Sequence, residues 1–247
     1  MQDPTINELV RMWIAGWSVS RGAAEAVDEP WGWTIDVGVV GHVARHVLPE
    51  PAEPDVRKIA EATTAPGTWL KLFTEEAVVR PWLGPQWQLD QPGYLMTVPL
   101  AAERPEVPAG YTVTTWTRGG TIRTLVRTEA GHLAARGQAG LAGPVAVPDQ
   151  ILTAPEHRRR GLGALVMRTL QNAGHEAGAD TAVLVGTPDG RALYASLGWT
   201  TRSPMASLVY EPAAAPAAGS AAESAAGPGA DPAAEPGADP AAVPAAE

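Results

Sequence analysis

The stretch Ile151-Leu-Thr-Ala-Pro-Glu-His-Arg-Arg-Arg-Gly-Leu-Gly-Ala164 joins an apolar, strand-like segment to a segment with helical periodicity. Pro155 interrupts the strand, and three arginines and two glycines follow before the helical pattern begins. The first N–H groups of a helix have no intrahelical acceptor, and the helix dipole adds positive potential there. Guanidinium groups at the same place form charge-assisted bonds with phosphate oxygens. The stretch therefore predicts a strand, a turn and a helix that together bind a pyrophosphate.

Two common phosphate-binding motifs do not fit this stretch. A P-loop needs Gly-Lys-Ser/Thr, which the sequence lacks, and a dinucleotide fingerprint needs a glycine where Val166 stands. The pattern Arg/Gln-x-x-Gly-x-Gly/Ala is met by Arg158, Gly161 and Gly163. Further along, the chain reads Thr187-Pro-Asp-Gly-Arg-Ala-Leu-Tyr-Ala-Ser-Leu-Gly-Trp199.

These two motifs, in this order, resemble the acetyl-CoA loop and a later motif of the GNAT N-acetyltransferase superfamily over about residues 110–210. The resemblance implies acetyl-CoA as the acyl donor and no metal. It also implies that the strand ending at Thr153 splays from its neighbour, so that its backbone binds the pantothenate arm like an added strand. The implied donor-binding residues are Ile151, Leu152, Thr153, Arg158, Arg159, Arg160, Gly161, Leu162, Gly163 and Ala164.

Acetyl transfer to an amine requires a group that takes the amine proton and an acid near the leaving thiolate. The resemblance places Tyr194 as that acid; packing of its helix on the sheet is the alternative role. Strict alternation would put residues 147, 149, 151 and 153 on one face, where Asp149 is the one ionisable side chain. Asp149 is therefore the candidate base, with a turn acceptor at a bulge as its alternative and His132 as a lesser candidate.

The composition predicts three regions. Residues 1–104 contain seven of the nine tryptophans and form an expected N-terminal α/β unit, residues 105–211 an expected acetyltransferase domain, and residues 212–247 a disordered Ala/Pro/Gly tail. The expected class is α+β, with a GNAT-like, mixed and mostly antiparallel sheet flanked by helices. Some tryptophans replace Phe in the core, and others could line a pocket.

The linker Thr117–Gly120 is too short for the two helices that cover the acceptor pocket in the family. We therefore hypothesise that the N-terminal unit, as a degenerate copy of the same fold, covers that pocket. The pattern further predicts a helix over 5–20 that stops at Gly22, a helix over 55–62 capped by Asp55, and a helix over 75–83.

Composition excludes several classes of site and partner. With no cysteine there is no disulfide, thiolate metal site or cysteine nucleophile, and the pair His42 and His46 lacks the acid of a zinc motif. The net charge of −9 disfavours nucleic acid as a partner. No leader or membrane segment is expected, so the predicted location is the cytoplasm. The oligomeric state stays open, with a homodimer as one alternative.

The leading functional hypothesis is an acetyl-CoA-dependent N-acetyltransferase acting on a primary amine of a small molecule or peptide. A catalytically silent acyl-CoA-binding regulatory module is the alternative from another class. A succinyl or malonyl donor and an aminoglycoside acceptor are also open, because neither pocket can be measured from sequence.

Overall fold

Twelve strands and five helices make up the part of the chain that the computed structural model describes, residues 3–212. The helices are α1 (Ile6–Arg21), α2 (Glu53–Ala62), α3 (Glu76–Val79), α4 (Leu162–Glu176) and α5 (Pro188–Ser196). The first six strands are β1 (Val27–Glu29), β2 (Gly32–Val39), β3 (His42–Leu48), β4 (Thr68–Leu72), β5 (Trp87–Leu89) and β6 (Gly93–Pro99). The others are β7 (Tyr111–Arg118), β8 (Thr121–Thr128), β9 (Leu133–Ala142), β10 (Val145–Thr153), β11 (Thr181–Gly186) and β12 (Thr200–Tyr210). The expected tail lies outside the described residues, apart from Pro212.

The strands pair in the order β1-β2-β3-β4-β12-β6-β11-β10-β9-β8-β7, and β5 pairs with β12 off this path. The neighbours β3/β4 and β10/β11 are parallel, and every other pairing is antiparallel. Each parallel pair is joined by a helix, as a parallel connection requires. The expected mixed, mostly antiparallel α+β class is therefore confirmed.

Two strands, β6 and β12, pair across the two halves of the chain, which are residues 1–104 and 105–211. β6 comes from the first half but pairs with β11 and β12 of the second half. β12 pairs with β6 through residues 200–205 and then with β4 and β5 through residues 206–210. Each half thus has a parallel pair, β3/β4 or β10/β11, followed by an antiparallel strand that the other half supplies. If the first half were a degenerate copy of the fold of the second half, the two halves would have this same strand order. Both the copy hypothesis and the boundary near residue 104 stay predictions.

Helix α1 covers one face of the central strands, and α4 covers the other. Thr5 and Glu8 form a reciprocal capping box at the start of α1, and Gly22 ends the helix in the left-handed conformation, as predicted. A Cβ on Gly140 of β9 would lie 1.9 Å from the carbonyl oxygen of Gly16, so a glycine is needed for this close approach. Along β10, Val145 and Val147 pack in the α1 cluster, whereas Ala146 packs in the α4 cluster.

The start predicted for one helix and the length predicted for another are wrong, each for a local reason. Helix α2 begins at Glu53 after Ala52, with no side-chain cap, so Asp55 lies inside its first turn instead of capping it. The helix expected over 75–83 stops at Val79 and continues as a 3₁₀ turn at Arg80–Trp82, because Pro81 lacks the N–H that an α-helix requires. Among the helices of residues 3–212, none has the length and apolarity needed to cross a membrane.

Candidate active site

Strands β10 and β11 separate soon after they begin. Only two residue pairs, Val145↔Thr181 and Ala146↔Ala182, join them, although β10 remains paired with β9 as far as Thr153. From Val147 onward, the edge of β10 that faces β11 has no strand partner in the described chain. Unpaired backbone groups at a strand edge can bind another extended chain. The splay expected before Ile151, Leu152 and Thr153 is therefore present.

A β-bulge interrupts β10 within this unpaired part. The register against β9 shifts between Asp149 and Leu152, and Gln150 has a φ of +54°. The bulge breaks the two-residue alternation, since one extra residue lies opposite its partner strand. Asp149 points to the α1 face, but Ile151 packs in the α4 cluster. The expectation that 147, 149, 151 and 153 share one face is therefore wrong.

The turn before α4 presents successive backbone N–H groups. In the described structure none of the N–H groups of Arg159, Arg160 and Gly161 has a backbone acceptor. The N–H groups of Leu162, Gly163 and Ala164 belong to the first turn of α4, where no intrahelical acceptor exists. Arg159 and Gly161 have φ values of +60° and +76°, which fold the turn back at the N-terminus of the 15-residue helix.

The three arginines of the turn differ in their surroundings. Arg158 is partly buried, and its Nε has no hydrogen-bond partner in the described chain. Arg159 is exposed, and Arg160 donates from Nη1 to the Tyr111 hydroxyl at 3.2 Å. That hydroxyl also lies 3.1 Å from Nδ1 of His157. Free amides and guanidinium groups at one helix start make a site for an anion with several oxygens.

Tyr194 packs in the α4 cluster and lies beside Gly186 of β11, at the gap between β10 and β11. It lies on α5, and its ring packs so closely that a Cβ on Gly186 or Gly190 would come within 2.9 Å of it. The side chain is 7% exposed. Burial, assisted by the negative charge of Asp149, raises the pKa of Tyr194 above its ordinary value. The hydroxyl is protonated at neutral pH, as in an ordinary tyrosine, and can act as a hydrogen-bond donor.

Asp149 reaches the same gap from the α1 side. Arg21 donates to it from Nε at 2.5 Å and from Nη2 at 3.0 Å, and the Ser20 hydroxyl donates at 3.1 Å. A carboxylate has about four acceptor positions, so three donors leave room for one more. The side chain is 14% exposed. His132 is exposed and lies just before β9, outside the residues that line this gap.

A cavity of about 240 Å³ opens where β10 and β11 separate, on the α1 face. Pro148 and Asp149 of β10 line it, as do Val185 and Gly186 of β11. The first half of the chain supplies the opposite wall, including Trp13 and Trp17, which are also core residues. That wall consists of Trp13, Trp17, Arg21, Arg45, Lys71, Asp90, Gln91, Pro92 and Gly93.

Sequence reasoning missed the charged residues of this wall. Arg45 and Lys71 each stand within an apolar strand pattern, His-Val-Ala-Arg-His-Val-Leu and Thr-Trp-Leu-Lys-Leu. A lysine or arginine is rarely fully buried, so a charge inside such a strand was the available signal. The pattern could not show that β3 and β4 face the ends of β10 and β11, because that contact depends on the pairing of β12.

Comparison with known proteins gives a family and a fold. The model of the Acetyltransferase (GNAT) family matches residues 56–199, so the match begins within α2 and spans both halves. A GCN5-related N-acetyltransferase from Kribbella flavida is similar in structure, with 19% identity, a TM-score of 0.62, and 83% of this chain and 95% of that chain covered. A GNAT-family structure from Novosphingobium aromaticivorans has 16% identity and a TM-score of 0.52, and covers 84% of this chain and 98% of its own.

A conserved protein from Staphylococcus epidermidis, described as functionally unknown, is similar with 10% identity and a TM-score of 0.54 over 82% of this chain and 97% of its own. At these identities the structures support the GNAT-like fold alone. None of the curated protein sequences compared with the chain matches it.

Proposed function

Since the chain belongs to the GNAT acetyltransferase family, we propose that it is an acetyl-CoA-dependent N-acetyltransferase acting on a primary amine of a small molecule or peptide. The observation that carries this proposal is the unpaired edge of β10, which begins beside the cavity and leads to the turn before α4. Pro148 and Asp149 line the cavity, and the chain beyond Thr153 reaches the free amides at 159–161.

The residues present fit acetyl-CoA. The turn at 159–164 offers its backbone N–H groups to the pyrophosphate, and the partnerless Nε of Arg158 adds a charged donor. The buried hydroxyl of Thr153 has no partner within the described residues, and it lies at the end of the strand that would bind the pantothenate arm. Ile151 and Leu152 would contribute backbone groups along the same edge.

When bound, acetyl-CoA supplies an acetyl group activated as a thioester. Transfer forms a C–N bond and breaks the C–S bond, so the amine loses a proton and the departing sulfur gains one. Asp149 accepts the amine proton at its remaining acceptor position, while Arg21 and Ser20 hold the carboxylate in place. Tyr194, whose hydroxyl is protonated at neutral pH, donates to the sulfur from the other side of the gap.

The N-terminal unit covers the acceptor side in this proposal. Helix α1 contributes Trp13, Trp17 and Arg21 to the cavity, and no helix is inserted between β7 and β8 to do so. The donor would enter from the α4 side, and the amine from the α1 side. Asp149 and Tyr194 would then lie on either side of the reacting atoms.

Release of free thiol from acetyl-CoA, measured with a panel of primary amines, tests the proposal. We expect amine-dependent release by the full chain, and a loss of about 100-fold or more in kcat/KM for Asp149→Asn. Binding of CoA without thiol release from any amine would contradict the proposal and favour a silent acyl-CoA-binding module. Equal turnover of succinyl-CoA or malonyl-CoA would contradict the assignment of acetyl as the group transferred.

A further inference from the structure

Two buried cations form part of the cavity wall. Arg45 on β3 is 5% exposed and Lys71 on β4 is 8% exposed, and both line the cavity. No carboxylate of residues 3–212 lies within ion-pair distance of either group. Burial of a charge without an opposite charge is unfavourable by several kcal/mol. Their arrangement therefore calls for a partner outside the protein.

The groups that contact Arg45 are neutral. Its Nε and Nη2 lie 3.1 and 2.9 Å from Nε2 of His42, and its guanidinium is 3.6 Å from the ring centroid of Trp17. Burial, followed by the charge of Arg45, holds the pKa of His42 at about 2, so its ring is neutral at pH 7. The imidazole therefore accepts hydrogen bonds without cancelling the positive charge.

Lys71 also lacks a close counter-charge. Its Nζ donates to the Ser207 hydroxyl at 2.5 Å and lies 4.1 Å from the ring centroid of Trp69. Asp90 approaches only through Ser207, whose hydroxyl is 3.5 Å from Oδ2, and Asp90 is exposed to solvent. Solvent screens the attraction between such an exposed carboxylate and a buried ammonium group.

The cavity lining has one more basic side chain than acidic side chains. The basic residues are Arg21, Arg45 and Lys71, and the acidic residues are Asp149 and Asp90. Arg21 and Asp149 form a bidentate pair and neutralise each other. When Arg45 and Lys71 are both protonated, one singly charged anion would balance them together with Asp90.

We infer that the acceptor is a small amine that also carries one carboxylate, which Arg45 and Lys71 bind while Asp149 faces the amine. This inference rests on the proposed acetyl transfer and names its substrate class. Arginine and lysine donate charge-assisted hydrogen bonds to carboxylate oxygens, and such bonds are stronger where water is excluded. The cavity of about 240 Å³ is smaller than the 300–1,000 Å³ typical of drug-sized ligands, which favours a compact amino acid.

The pKa of Lys71 depends on the charges in the cavity wall. Burial lowers the pKa of Lys71 well below its usual value, and repulsion by Arg45 and Arg21 lowers it further, while Asp90 raises it. A bound carboxylate would add a favourable charge and raise the pKa of Lys71. Carboxylate binding is therefore coupled to proton uptake wherever Lys71 is neutral in the free protein.

Matched amine pairs test the inference with the full chain. L-alanine against L-alaninamide, and 4-aminobutyrate against 4-aminobutyramide, differ in the carboxylate, and thiol release from acetyl-CoA gives kcat/KM for each. We expect at least one acid to exceed its amide by about 10-fold or more, since a hydrogen-bonded charge contributes on this scale. In each pair the amide has the less basic amine, so a larger fraction of that amine is neutral and reactive. This difference favours the amide and therefore opposes the expected result.

The variant Lys71→Met removes one carboxylate donor, and Lys58→Met is the matched control because Lys58 is exposed on α2. We expect Lys71→Met to bring the kcat/KM for the acid to within about 2-fold of that for its amide. Lys58→Met should leave this ratio of kcat/KM values unchanged. Amines turned over with no preference for acids in the wild-type chain would overturn the inference while leaving the proposed function intact. A preference for 2-aminoethyl phosphate over every acid would also overturn it, and no release from any amine contradicts the proposed function itself.

Discussion

Tyr194 has the surroundings of a proton donor as well as of a packing residue. Its ring fills the space beside Gly186 and Gly190, and burial raises the pKa of its hydroxyl. The motif predicted the position of the tyrosine, and the structure adds that burial and the charge of Asp149 raise the pKa of its hydroxyl. The same residue therefore packs α5 on the sheet and presents a protonated hydroxyl.

The substitution Tyr194→Phe removes the hydroxyl and keeps the ring. We expect kcat to fall by about 100-fold, because a general acid contributes on this order, and the KM for acetyl-CoA to change little. Steady-state thiol release measures both values. Tyr210→Phe is the control, since Tyr210 packs against Trp87 at the other end of β12. Equal kcat values for Tyr194→Phe and the wild type would remove the acid role.

His42 makes stability depend on pH. Its folded pKa is about 2 and its ordinary value is 6.5, so the unfolded chain binds more protons between these values. The free energy of unfolding therefore rises with pH in that window and falls as the solution is acidified below pH 6.5. From pH 7.5 to 5.0 we expect His42 to account for a loss of about 2 kcal/mol.

Urea unfolding of His42→Gln at both pH values checks this expectation. Glutamine retains an acceptor for Arg45 but does not titrate, so the acid-induced loss should shrink by about 2 kcal/mol. His132→Gln is the control, because His132 is exposed. An equal loss of unfolding free energy on acidification in the wild type and in His42→Gln would contradict this role of His42.

Among the secondary-structure elements, the strand, turn and helix around Arg158–Gly161 could be predicted from the sequence, whereas the bulge before them could not. The strand predicted to end at Thr153 does end there, and α4 begins at Leu162, after the three arginines and Gly161 as the pattern predicts. Proline, glycine and apolar spacing act locally, so a sequence reports them well. The bulge at Gln150 depends on the register against β9, which no local pattern encodes.

Gly161 tests the turn as an anion site. A valine there would have to adopt a φ of +76°, which costs about 1–3 kcal/mol and favours a different turn. We expect Gly161→Val to raise the Kd for acetyl-CoA by about 10-fold or more. Gly119→Val is the matched control, since Gly119 has a φ of +57° in the β7–β8 turn and nothing lies near its Cβ position. If both variants bind acetyl-CoA equally, the turn conformation does not determine binding.

In the complete fold, the feature that sequence reasoning could least predict is the exchange of strands, in which β6 pairs with the second half and β12 pairs with the first. Composition predicts a boundary near residue 104; residues 100–108 have no regular secondary structure, and the boundary stays a prediction. Pairing of β6 with β11 and β12, and of β12 with β4 and β5, depends on contacts between residues more than 80 positions apart. The cavity is therefore visible only in the folded chain, where residues of α1, β3 and β4 line it together with residues of β10 and β11.

This exchange predicts that the second half cannot fold alone. A fragment of residues 105–211 lacks β6, whose Leu95 and Met96 are fully buried in the two core clusters beside β11. We expect that fragment to show no cooperative thermal transition, because the central strand between β11 and β12 is missing. Residues 1–211 form the control and should unfold like the full chain. A cooperative, acetyl-CoA-binding 105–211 fragment would show that the halves are independent.

Calorimetric titration of the full chain with coenzyme A, at two temperatures and two salt concentrations, tests most directly whether the turn before α4 holds a pyrophosphate. We predict one binding site per chain, with an affinity that falls as salt rises, since the contacts include arginine side chains. Gly161→Val should weaken the binding, and Gly119→Val should not. The absence of binding heat at both temperatures, or equal affinity in Gly161→Val and the wild type, would contradict the account.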